Sequence, residues 1–195
     1  LTVLEVNTAP PVDPMRVVDM AQAVENDYIG SPCGKLDQIM ILFAKAGMAT
    51  YYSPARRSVR HIPLGAGAPA FRLVSLDTGT ERPGLEKSTY RIRRAECEEL
   101  VALAAPEFGI RCLADVRTPA LYRAIVARFG ATHPAHCRRL KYIYEAQRRF
   151  ARMVRAWRAG DLATIGAAMR ADGHGLRDDY EISGRELETM CDLAR

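Results

Sequence analysis

Glu25 and Asp37 are the residues of this sequence from which chemistry could start. They lie in its densest polar segment, Glu25-Asn26-Asp27-Tyr28-Ile29-Gly30-Ser31-Pro32-Cys33-Gly34-Lys35-Leu36-Asp37-Gln38. Met15, Val18, Ala21, Ala23 and Val24 have helical spacing before it, and Leu36, Ile39, Met40 and Phe43 have it after. Glu25 therefore falls near the end of one helix and Asp37 in the first turn of the next, with a tight turn at Ser31-Pro32-Cys33-Gly34 between them. Such a bend can bring both carboxylates to one cleft, where one could bind magnesium and the other accept a hydroxyl proton. The same spacing also allows a plainer role for Asp37, as an acidic partner of the helix dipole.

Other routes to chemistry are poorly supplied. The sequence contains neither G-x-x-x-x-G-K-[ST] nor G-x-G-x-x-G, and no H-E-x-x-H. His61, His133, His136 and His174 form no ligand pair at useful helical spacing, since Pro134 separates the one close couple at a helix start. Cys33, Cys97, Cys112, Cys137 and Cys191 are scattered, odd in number and without a C-x-x-C pair, which argues for a reducing cytoplasm and against a zinc knuckle or a disulfide framework. The net charge of +5 raises the question of a polyanionic partner. The arginines answer it by position. In the longest helical stretch Leu140, Ile143, Tyr144, Phe150, Val154 and Trp157 share one stripe, while Arg138, Lys141, Arg148, Arg149, Arg152 and Arg155 fall mainly elsewhere. That is a core helix with a solvated basic face. Its aromatics lie on the buried stripe and are not interleaved with the arginines, as base stacking would require. No nucleic acid is expected as partner. No membrane is expected either, because no apolar run approaches the roughly 18 to 20 residues of a spanning helix, and no signal peptide opens the chain.

The elements that must position the acidic pair follow from punctuation. The opening Leu1 to Asn7 is apolar and partly β-branched, and prolines end it. Asp13-Pro14 opens the first helix, to about Asn26, and Gly47 stops the second. Met48–Tyr52, Ser58–Leu64 and Phe71–Leu76 read as three strands, followed by a polar loop from Asp77 to Lys87. After Ser88 the pattern is helical: Tyr90 to Ala105, Thr118-Pro119 to Phe129, His133-Pro134 to Ala159, and Gly160-Asp161 to about Ala171. Ser183 with Glu186 spells a capping box for a last helix. Helix, strands, then helices is an α+β order, and 48% hydrophobic residues suit a soluble globular chain.

Three motifs in order then carry a resemblance. E-N-D-Y-I-G-S-P-C-G-K-L-D-Q (Glu25 to Gln38) resembles the galactokinase segment in which a P-C-G turn precedes a D-Q pair. S-T-Y-R-I-R-R-A-E-C-E-E (Ser88 to Glu99) is similar to that family's tyrosine and arginine-rich helix start, and G-L-R-D-D-Y-E-I-S (Gly175 to Ser183) to a further signature. The resemblance, to the galactokinases of the GHMP kinase superfamily, spans most of the chain. It implies a two-lobed fold, with residues 1–47 ending the N-terminal lobe and 48–195 forming most of a C-terminal α+β lobe. It implies ATP-dependent phosphorylation of galactose at the C1 hydroxyl, with ATP and Mg2+ as cofactors and a monomer binding a small-molecule sugar and ATP.

Residue by residue, the resemblance implies Asp37 as catalytic aspartate and Glu25 as Mg2+ holder. It implies Tyr90 as a sugar contact and Gly34 as a glycine whose bare backbone approaches the sugar. Asp77-Thr78-Gly79 resembles a loop near the sugar, and Arg177, Asp178 and Asp179 are expected to be structural salt-bridge partners. Lys35 departs from a position commonly apolar in the family, and could lower the pKa of Asp37 or point to solvent. The family's substrate-arginine motif, Gly/Ser-rich ATP loop and final Gly-rich loop have no counterpart in these residues. The expectation is an internal fragment, inactive alone. Galacturonate, arabinose or N-acetylgalactosamine as the sugar, and a non-catalytic sugar sensor, stand as alternatives.

Overall fold

The computed structural model describes residues 12–30, 33–80 and 89–194. The opening Leu1 to Asn7 run, Ser31 and Pro32 of the bend, the end of the polar loop and Ser88 lie outside the described residues. The chain divides into two compact units, Leu1–Ala66 and Gly67–Arg195.

In the first unit, helix α1 (Pro14–Ala23) starts where Asp13 accepts the Met15 N–H at 3.2 Å and Pro14 pre-sets the first turn. The helix then widens into a π turn, Val24–Tyr28, closed by the Ile29 N–H on the Val24 carbonyl at 3.0 Å. Helix α2 (Leu36–Phe43) packs against α1, with Val18 and Ile39 buried between the elements of this unit. Gly47, at φ 73, turns the chain into an antiparallel hairpin of β1 (Met48–Ser53) and β2 (Ser58–Pro63). Its register runs from Met48 opposite Pro63 to Ser53 opposite Ser58.

The second unit is helical: α3 (Thr89–Phe108), a short 3-10 turn (Leu113–Asp115), α4 (Pro119–Phe129), α5 (Pro134–Ala159), α6 (Leu162–Asp178) and α7 (Arg185–Leu193). Leu100, Ile110, Leu113, Val116, Ile125, Phe129, Leu140 and Tyr144 form one apolar cluster in which α3, α4 and α5 meet. α6 packs along α5. At their contact a Cβ on Gly175 would come within 3.0 Å of both the Tyr142 ring and the Arg149 guanidinium. A side chain there would make the Tyr142 ring or the Arg149 guanidinium give way.

The α+β class holds, with corrections in detail. Phe71–Leu76 forms no strand; Leu73 is 91% exposed, and no described strand lies alongside to take its backbone groups. α3 runs through Pro106 to Phe108, since a proline in the last turn removes only one donor, and Gly109 at φ 66 ends it. α6 continues to Asp178 because the Gly175 contact holds its second half to α5. The expected box at Ser183 is absent. Gly184 takes the cap position of α7, and the Ser183 hydroxyl donates to Glu188 at 2.6 Å.

The basic helix α5 also differs from its reading. Arg139 is fully buried, whereas Phe150, expected on the core stripe, is 43% exposed. Its basic residues meet carboxylates: Arg138 with Glu181 at 2.8 Å, Lys141 with Asp179 at 3.0 Å and Arg149 with Asp172 at 3.0 Å. All five cysteines are free. Among the described residues no helix is long and apolar enough to cross a membrane.

Candidate functional site

The bend between α1 and α2 is built from side-chain amides. The Cys33 N–H donates to Asn26 Oδ1 at 2.8 Å, and Gln22 Nε2 donates to the Cys33 carbonyl at 3.0 Å. Both backbone groups of Cys33 are thus tied to the helix that precedes it. A helix that opens into a π turn re-aims its side chains, and such turns are frequent at functional sites. Here the π turn carries Glu25 and Asn26. Sequence reading singled out Glu25 but gave no role to Asn26 or Gln22, because an amide's partner depends on a fold that spacing does not reveal.

Across the bend, Glu25 meets Gln38. Gln38 Nε2 donates to Glu25 Oε1 at 2.6 Å, and Gln38 is only 8% exposed. Asp37 precedes Gln38 in the first turn of α2, about 100° around the helix from it, and is exposed. The chain therefore links Glu25 to the residue beside Asp37 and leaves Asp37 facing outward. The Cys33 thiol belongs to the same neighbourhood: burial pushes its pKa up, and the Glu25 carboxylate pushes it further the same way. Gly34 is exposed, and among the described residues nothing stands within 4 Å of where a Cβ would be, which leaves room for approach to its backbone.

Lys35 does not simply point to solvent. Its ammonium pairs with Asp19 on α1, and Arg57 from the hairpin turn reaches the same carboxylate at 2.6 Å. Lys35 first, then Arg57, hold the Asp19 carboxyl below the usual carboxylate range.

Tyr90 belongs to the second unit, on the first turn of α3. There it lines a cleft of about 530 Å³ with Cys97, Val101, Leu113, Ile143 and Tyr180. The Tyr180 hydroxyl lies 3.8 Å from Cys97 Sγ, and burial drives its pKa well above the ordinary phenol value. Asp77 uses its carboxylate locally, accepting the Gly79 N–H at 2.9 Å. Arg177 pairs with Asp178 at 2.7 Å, and Asp179 with Lys141, as salt-bridge partners. Among the described residues no three His, Cys, Asp or Glu side chains converge as a metal cage.

Comparison with known proteins bears on what such a bend is for. No family model matches the chain. The galactokinase of Chloroflexus aurantiacus is 37% identical over 177 residues, 90% of this chain and 43% of that protein. The galactokinase of Streptomyces coelicolor is 34% identical over 176 residues, again 90% of this chain and 43% of the relative. The chain is homologous to the galactokinases. The crystal structure of Lactococcus lactis galactokinase complexed with galactose matches 98% of the chain with a TM-score of 0.81 at 27% identity, and the chain covers 48% of it. The chain thus spans a little under half the length of the galactokinases it matches.

Proposed function

We propose that the protein carrying this sequence is an ATP-dependent sugar kinase that phosphorylates galactose at its C1 hydroxyl. The observation that carries the proposal is the similarity to galactokinases over 90% of the chain, a stretch that includes the whole Glu25 to Gln38 bend. Phosphoryl transfer needs little covalent work from a protein and much positioning and charge neutralisation. The residues assigned here are suited to that.

Asp37, exposed in the first turn of α2, would orient the C1 hydroxyl or take its proton, a contribution of about 10² to 10⁴ in rate for a positioned base. Gly34 would let the backbone approach the sugar, in keeping with the open space around it. Tyr90 would offer its phenolic hydroxyl to the sugar. A single carboxylate is a sufficient protein ligand for Mg2+ where phosphate oxygens and waters complete the shell, so Glu25 fits the ion without a cage. When bound, Mg2+ neutralises charge on the ATP phosphates. Residues 1–47 would end an N-terminal lobe and 48–195 form most of a C-terminal one; the protein would be a monomer, and its five free thiols would suit a reducing cytoplasm.

The test is a sugar panel with the complete protein and ATP. Galactose 1-phosphate as the main product supports the proposal. Preference for galacturonate, arabinose or N-acetylgalactosamine moves the substrate, and binding of sugar and ATP without any transfer identifies a sensor.

A further inference from the structure

Two carboxylates flank the bend from the α1 side, and they are treated differently. Asp19 is met by two cations, Lys35 and Arg57. Glu25 is met by a neutral amide, Gln38 Nε2, at 2.6 Å. Both nearby cations are thus directed to Asp19, and among the described residues Glu25 makes no ion pair.

The amide itself needs explaining. Gln38 is 8% exposed, and its Oε1 has no hydrogen-bond partner among the described residues. Leaving a buried acceptor unsatisfied costs about 1–3 kcal/mol, and an apolar side chain of similar shape would avoid that cost. Packing alone therefore does not account for a glutamine here. What the amide supplies, and a methionine would not, is the bond from Nε2 to Glu25. The Glu25 side chain, half-buried on a π turn beside the Cys33 thiol, takes this bond at Oε1. A single neutral donor fixes one oxygen without competing electrostatically for a metal at the other.

We propose that Gln38 is a positioning residue for Glu25: its amide anchors Oε1 and presents Oε2 to a divalent cation bound with the nucleotide phosphates. This rests on the reading of Glu25 as the residue that holds Mg2+. Gln38 touches neither sugar nor nucleotide in this scheme. It acts through Glu25 alone, which distinguishes it from Asp37 one residue earlier. Hydrogen-bonded partners of this kind are commonly worth about 10- to 100-fold in metal affinity.

The experiment uses the complete kinase and reads metal binding without turnover. Free Mn2+, as a paramagnetic stand-in for Mg2+, is titrated by electron paramagnetic resonance into the protein with bound ATP. Gln38→Met, Glu25→Gln and the double variant are compared with the parent. Galactose affinity and melting temperature are measured alongside. The proposal expects Gln38→Met to weaken Mn2+ by about 10- to 100-fold with galactose affinity unchanged. It expects the double variant to bind no more weakly than Glu25→Gln alone, since one residue acts through the other.

A further tenfold loss in the double variant overturns it and assigns Gln38 to the fold. Unchanged Mn2+ affinity in Gln38→Met, with Glu25→Gln weakened, overturns it while leaving Glu25 as metal holder. Unchanged affinity in Glu25→Gln overturns the metal role of Glu25 and the positioning role together. If Gln38→Met does not fold, Gln38→Asn, which withdraws the amide by one methylene, is read by the same criteria.

Discussion

A carboxylate proposed to aim a hydroxyl and a guanidinium that closes a core should fail in different ways when changed. Asp37→Asn keeps the shape of an exposed side chain and removes its charge. On the proposed function, turnover of the complete protein should fall by about 10² to 10⁴ while galactose binding by calorimetry stays near the parent value; near-normal turnover would remove Asp37 as base. Arg139 is the opposite case. It is fully buried, donating from Nε to Glu96 at 2.6 Å, from Nη2 to Glu181 at 2.7 Å and from Nη1 to the Asp179 carbonyl. Arg139→Met should destabilise the chain by about 3–5 kcal/mol, measured by urea unfolding.

The acid limb of stability should change with it. Burial pushes the Glu96 carboxyl up, but Arg139 and Arg93 together bring it below its ordinary value. Arg139, above all by its hydrogen bond, lowers Glu181 as well. A carboxylate depressed in the folded state binds fewer protons folded than unfolded. Its stabilisation is complete above the ordinary carboxyl range and is lost as pH falls through the lower folded value. Melting temperature against pH should decline on that acid side in the parent and decline less in Arg139→Met. Parallel curves would contradict this account.

At the scale of elements, the α5–α6 contact makes its own prediction. Gly175→Val would force the helices apart at Tyr142 and Arg149, and overpacking of this kind costs about 1–3 kcal/mol. A urea midpoint unchanged in Gly175→Val would mean the helices relax freely. Much of this layer was legible in the residues. Asp13, Thr118 and Asp161 sit where spacing put a helix start, and each accepts a backbone N–H there. Local chemistry decides such caps, so local reading finds them. Phe71–Leu76 reads as a strand equally well, yet a strand needs a partner, and partnership is not a local property. Arg139 was overlooked for the same reason. A helical wheel ranks arginine outward, and partners 40 to 43 residues away, Glu96, Glu181 and the Asp179 carbonyl, bring it inside. Within the candidate site, Glu25 and Asp37 could be located from the bend, whereas Gln38 at the join could not, because its bond crosses from one helix to the other.

At the scale of the molecule, the 195 residues contain no phosphate loop, and ATP-dependent galactose phosphorylation by this chain alone should be undetectable. Turnover above background by a coupled assay would refute that. The stretch from Phe71 to Leu76 is exposed and outside any helix or strand. Limited chymotrypsin should cut there first and leave the helical unit resistant; first cuts inside α5 would show that the helices open more readily than this stretch is reached.

Arg139 also makes one loop answerable to the interior. Helix α5 cannot settle its charge until α3 has delivered Glu96 and the chain beyond α6 has delivered Glu181. Partly assembled forms of the helical unit therefore carry a stranded cation and are disfavoured, which sharpens folding towards all or none. A substitution at Glu181, on a loop with a left-handed backbone at φ 54, should then behave in a mutational screen like a lesion at the centre of the protein.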